Sequence, residues 1–257
     1  SCHDKCIQAL YYEKGHHLLF ELCYQVGLDY LNRGMFEKSK EILYLAAVEK
    51  ENIEISSICP PPRTFSKPIA FVAQADAPCK KDIFHRYAMA WNMLGIAQEN
   101  LALIADAYQS YKKSNEFDIQ YWAPYYNLGR ICSKLEKDST LIIEYYKEAI
   151  EIEPKMPLIH VSLAAIYKKS NRTSEYRDHC EIARKYIANE EEYNQACFEV
   201  VCEENHSKEK TMCLLKAALL KNQVSPKWAM SDPDLSSLKE DKDFLDIIKS
   251  LDPQNNR

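Results

Sequence analysis

Cys2, His3, Cys6, His16 and His17 form the one grouping in this chain that puts thiol and imidazole donors at close spacing, the raw material of a zinc site. Cys2 and Cys6 lie one helical turn apart, yet C-x-x-x-C lacks the tight turn and second cysteine pair of a structural zinc site. The group therefore reads as solvent-facing histidines and half-buried thiols. Acid-base chemistry has no better footing. Glu190-Glu191-Glu192 and Glu203-Glu204 are dense in carboxylates, but they fall on expected turns and outer faces, where a charge run is solvated. His85, His179 and His206 have no Cys or Ser at a spacing that suggests a triad, and His160 sits where a large side chain wedges between helices. No G-x-x-x-x-G-K, H-E-x-x-H, G-x-S-x-G or G-x-G-x-x-G occurs, and 5 glycines leave little room for phosphate loops. The expectation is a chain without catalytic residues, metal or cofactor. Recognition chemistry is better represented: amides that pair with an extended backbone, and Arg/Lys that hold carboxylates, recur at helical spacing.

The elements that would carry these side chains are long helices. A chain of 257 residues with 46% hydrophobic and 28% charged residues is long enough for a substantial core, and 5 glycines with 11 prolines argue against a turn-rich β protein. A net charge of -5 calls for neither nucleic acid nor an anionic membrane. No apolar run approaches a membrane span and no charged-then-apolar leader opens the chain, so a soluble, cytoplasmic protein without membrane insertion is expected. The 10 cysteines are mostly single residues at helical positions, such as Cys23, Cys132, Cys180 and Cys213, where Cys behaves as a small buried hydrophobe. Reduced, structural thiols follow from that placement.

The stretch from Ala88 carries a spacing of its own: Trp91, Leu94, Gly95, then Ala107 and Tyr111. Leu94 and Trp91 share a helix face, Gly95 admits a second helix closely, and Ala107 and Tyr111 supply the small and large halves of the contact. This pattern resembles the tetratricopeptide (TPR) repeat. Val26, Gly27, Tyr30, Ser39, Leu43 and Ala46 repeat it from Phe20, with Asn32 to Phe36 as the inter-helix turn and Gly34 able to take positive φ. Later units start near Trp122, with Leu128, Gly129, Tyr146 and Ala149 and one extra residue absorbed between Leu135 and Ser139. They continue from Pro157, where Tyr176 replaces the small residue and is expected to spread or tilt the helices, and from Glu190.

The resemblance implies an all-α, right-handed superhelical solenoid forming a single TPR domain over 1-257. Its parts are an N-terminal helix (1-19), a repeat (20-53), a Pro-rich insertion (54-87), repeats at 88-121, 122-156, 157-189 and 190-224, and a C-terminal cap (225-257). Five prolines (Pro60, Pro61, Pro62, Pro68, Pro78) make Ser56 to Cys79 extended or looped, whether as an idle loop, a segment folded back, or a Pro-rich ligand. Lys81 to Tyr87 leads into the helix of Trp91. In the cap, Trp228, Leu235, Leu238 and Phe244 cover the last apolar face while Lys239, Glu240, Asp241 and Lys242 meet water.

In TPR proteins the first helix of each unit lines the concave surface. Carried over by spacing, the groove residues are Tyr24, Gln25, Leu28 and Asn32; Asn92, Met93, Ile96 and Asn100; Tyr126, Asn127, Arg130 and Lys134; Lys168 and Lys169; and Asn194, Gln195 and Phe198. A TPR class that grips a peptide's C-terminal carboxylate uses a Lys/Asn/Asn/Lys/Arg set, of which only Asn127 survives here, so that function is not inherited. The expectation is a non-enzymatic scaffold binding another protein, through an acidic peptide or helical segment attracted by Arg130, Lys134, Lys168 and Lys169. The alternative is a regulatory or targeting region of a larger enzyme whose catalytic domain is not in this chain.

Overall fold

The computed structural model describes residues 16–48, 78–203 and 207–251. These residues are all-helical, without strands, and each helix packs against its neighbours. In chain order they are α1 (His16–Asn32), α2 (Phe36–Val48), α3 (Pro78–Asn100), α4 (Ile104–Phe117), α5 (Trp122–Lys134) and α6 (Ser139–Ile152). Then come α7 (Pro157–Lys169), α8 (Thr173–Tyr186) with a 3-10 turn at Ile187–Asn189, α9 (Glu192–Cys202) and α10 (Lys208–Leu220). The short α11 (Pro226–Ser231), a 3-10 helix (Pro233–Leu238) and α12 (Lys242–Leu251) close the series. They form two compact units that divide between Pro124 and Tyr125, in the first turn of α5.

Local chemistry explains the boundaries. Asp138, Ser207 and Ser225 each turn a side-chain oxygen onto a free backbone N–H at the start of the helix that follows. Pro157 and Pro226 occupy first turns, where a missing N–H costs nothing. Pro78 opens α3 in the same way, so Pro78 and Cys79, expected to be extended or looped, are helical. The rest of the Pro-rich insertion up to residue 77 lies outside the described residues, as do Cys2, His3 and Cys6.

Five helices stop by one device. Gly34, Ala102, Glu136, Asn171 and Asn222 all take positive φ, between 49 and 69°. In each case the next residue donates its N–H back five positions, as in Met35 to Tyr30 O at 2.8 Å, Leu103 to Gln98 O at 2.9 Å and Lys137 to Cys132 O at 3.0 Å. This closes the last orphan carbonyls of the helix. The turn between α5 and α6 spans residues 135–138, one residue more than the 101–103 turn between α3 and α4, which accommodates the extra residue seen in the sequence.

In the first unit α1 packs on α2, α2 on α3 and α3 on α4 around Phe20, Leu43, Tyr87, Trp91, Leu94 and Phe117. Gly27 faces Leu43, and Gly95 faces the Tyr111 ring. Ser39 Oγ donates to Gly27 O at 2.9 Å and Ser114 Oγ to Ala88 O at 2.6 Å, pinning second helices to first ones. The second unit repeats the contact at Gly129, which faces the Tyr146 ring, and packs α7 on α6, α8 and α9, and α9 on α10. Tyr176, which replaces the small residue of the pattern, reaches across to donate to Val201 O at 3.1 Å. None of the described helices is long and apolar enough to cross a membrane.

Two substitutions follow from these contacts. A Cβ on Gly95 would lie 2.5 Å from Tyr111 Cε1, in a ring that is 0% exposed. Gly95→Ala should therefore cost about 1–3 kcal/mol by overpacking, more than the roughly 1 kcal/mol that alanine adds as a helix former. Ala102→Gly relieves a left-handed alanine and should raise stability by about 1 kcal/mol. Urea melts of both variants read the two signs.

Candidate functional site

The predicted groove residues separate by burial. In the first unit, Tyr24 is buried and stacked on Phe20 at 6.0 Å, while Leu28 and Met93 pack against the core. Asn92 is 1% exposed and donates to the Tyr121 hydroxyl at 3.3 Å. Asn100 donates to Ile96 O of its own helix, and Gln25 and Asn32 are exposed. In the second unit, Tyr126, Asn127, Arg130 and Phe198 are buried, whereas Lys168 and Lys169 are exposed. Lys168 donates to Val201 O at 3.1 Å, and Asn194 and Gln195 both hydrogen-bond Glu190.

A feature of the second unit unites several of these residues. The segment from Ser225 to Leu238 lies on the face presented by α5, α7 and α9, all of them first helices of their hairpins. Arg130 stacks on the Trp228 ring, its guanidinium carbon 3.9 Å from the centroid, and Lys134 Nζ stands 4.7 Å from the same centroid. Lys134 Nζ also donates to Ser231 Oγ at 2.9 Å. From α7, Ser162 Oγ donates to Asp234 Oδ2 at 2.7 Å, and from α9, Tyr193 Oη donates to Asp232 Oδ2 at 2.7 Å. Asp232 Oδ1 meanwhile accepts from the Asp234 N–H at 2.9 Å, so one carboxylate both caps the 3-10 helix and ties it to α9. Beyond this polar stretch Leu235, Leu238 and Phe244 are buried.

The electrostatics match the geometry. Burial, and then the charge of Asp232, push the Asp234 carboxyl up to about 7, against the opposing pull of the Ser162 hydrogen bond, Arg130 and Lys169. Burial, with both carboxylates at Tyr126 and Tyr146 and Asp232 at Tyr193, holds these three hydroxyls far above their ordinary range, so they remain protonated. The face thus offers neutral hydroxyl donors and cations to an acidic segment.

Sequence reasoning found Arg130, Lys134 and Lys169 but missed Ser162, Tyr193, Asp232 and Asp234. Ser162 and Asp234 are 72 positions apart, and the one available signal was an Asp-Pro-Asp placed just after a tryptophan. It also gave His85 and His179 no partners. His85 Nδ1 lies 2.6 Å from Asp118 Oδ2. His160 Nε2 faces Pro154 O at 3.0 Å and must carry the proton, which leaves its Nδ1 to accept from His179 Nδ1–H at 2.7 Å. Both rings of this pair are driven toward the neutral form by burial, His179 down to about 4. Among the described residues no three His, Cys, Asp or Glu side chains gather as a metal site.

A carboxyl whose folded pKa is raised from 3.8 to about 7 gives the fold stability that is complete below 3.8 and is lost as pH rises through 7. Asp234→Asn keeps an acceptor for Ser162 and removes the buried charge. Its melting midpoint should exceed that of the parent near pH ~8, with the difference shrinking as pH falls toward ~5. Paired thermal melts across that range check the sign.

No protein-family model matches this chain, and no curated protein matches it.

Proposed function

We propose that this chain is a non-enzymatic interaction scaffold, a helical-repeat protein of TPR type whose first-helix faces grip an acidic segment of another protein. Support for the repeat reading comes from the recurring hairpin: a small residue facing a ring or leucine at Gly27, Gly95 and Gly129, and one stop device at five helix ends. The observation that carries the binding reading is the Ser231-Asp232-Pro233-Asp234 stretch held on α5, α7 and α9 by Lys134, Ser162 and Tyr193. It is an acidic, partly extended segment seated on the residue types that suit one.

Binding of immobilised acidic, neutral and basic peptides to the full chain tests this reading. Acidic peptides should be retained preferentially and released as salt is raised, since exposed charges are screened within about 8 Å at physiological ionic strength. Arg130 is 2% exposed beneath Trp228, so reversing it would confound binding with folding. Lys134→Glu with Lys169→Glu is the cleaner reversal and should abolish the acidic preference, with circular dichroism as the folding control. Salt-insensitive binding that ignores peptide charge would overturn the proposal.

A further inference from the structure

The segment 225–238 makes the contacts of a ligand as well as those of a cap. Covering an exposed helix end requires apolar area, which Leu235, Leu238 and Phe244 supply. Apolar covering does not by itself call for burying Asp232 and Asp234, which flank Pro233 and are 3% and 7% exposed, and their removal from water must be offset by a partner for each. The partners are present and come from separate helices: Ser162 of α7 donates to Asp234 and Tyr193 of α9 to Asp232, while Lys134 of α5 donates to the neighbouring Ser231. Buried polar matching of this kind selects one sequence over others more than it adds stability. The segment also has a modular build. Its six-residue helix and six-residue 3-10 helix each begin with proline, and a turn with Asn222 at positive φ separates them from α10.

We infer that the face of α5, α7 and α9 is a receptor surface for an acidic segment of another protein, one with an aromatic residue upstream of an Asp-x-Asp pair, and that residues 225–238 are a resident pseudo-ligand which such a partner displaces. The inference rests on the scaffold reading and adds its regulation. The partner's aromatic ring would take the place of Trp228 over Arg130, and its carboxylates the places of Asp232 and Asp234. Lys169 is exposed and already acts on Asp234, so it is available to attract the incoming acidic chain before exchange.

Amide hydrogen exchange on the full chain, with and without excess synthetic peptide spanning residues 224–239 of this sequence, tests the inference. The amides of 226–238 should lose protection by about tenfold or more while those of α5, α7 and α9 keep theirs. The same peptide with both aspartates replaced by lysine should do nothing. In a second arm Trp228→Ala loosens the resident segment, and labelled peptide should bind this variant about tenfold more tightly than the parent. Protection of 226–238 that peptide leaves unchanged, or that is lost only together with α5, α7 and α9, would overturn the inference and make the segment a purely structural cap. If Trp228→Ala fails to fold, the exchange measurement on the parent chain decides. Acidic peptides that bind without exposing 226–238 sink the inference and spare the scaffold reading, whereas a chain that binds no acidic peptide sinks both.

Discussion

The distance between paired helices is set here by what a glycine leaves out. At Gly95 and Gly129 a tyrosine ring occupies the volume a Cβ would need, and at Gly27 a leucine does the same. The ring then packs directly against the partner helix, burying large apolar area over a short crossing distance. Such a contact tolerates no bulk on one side and no loss of bulk on the other. The other hairpin contacts conform to it: Ser39 and Ser114 reach backbone carbonyls of the neighbouring helix only because that helix is so near.

Close pairing leaves the first-helix faces of the second unit to other tasks. On α5, α7 and α9 the polar side chains of Arg130, Lys134, Ser162 and Tyr193 are met by a segment of complementary chemistry. Charged groups buried this way are weak sources of stability, because desolvation offsets much of what the pair returns. Their value is selectivity: a segment without carboxylates at these two positions would leave Ser162, Tyr193 and Arg130 buried against nothing suitable. The neutral His160–His179 pair shows the same economy elsewhere in the unit, with the half-buried His179 donating its Nδ1–H to the buried His160 ring and no net charge taken out of water.

The helical class was legible because few glycines, prolines concentrated in one segment, and apolar residues spaced three and four apart all argue the same way. The glycine-to-ring register was legible too, since Gly95 and Tyr111, or Gly129 and Tyr146, lie within one hairpin and their separation is fixed by two short helices and a turn. Gly34 announced its turn through its own freedom at positive φ. Ala102 and Glu136 did not, because an L residue driven into that region is held there by the hydrogen bonds of the finished helix end and leaves no compositional trace.

What the sequence by itself determined, then, depends on neighbours within about a turn or a hairpin: helix periodicity, the turn at Gly34, and the small-against-large contacts. Only the tertiary structure decided which polar residues meet. Lys134 and Ser231 are 97 positions apart and Tyr193 and Asp232 are 39 apart, and no periodicity links them. Their encounter depends on the path of the chain after α10, which brings an acidic segment back over helices that precede it. The physical reason is that local preferences are encoded residue by residue, whereas the pairing of buried charges is imposed by packing, which forbids a carboxylate to remain out of water without a partner and so selects the path on which partners are found.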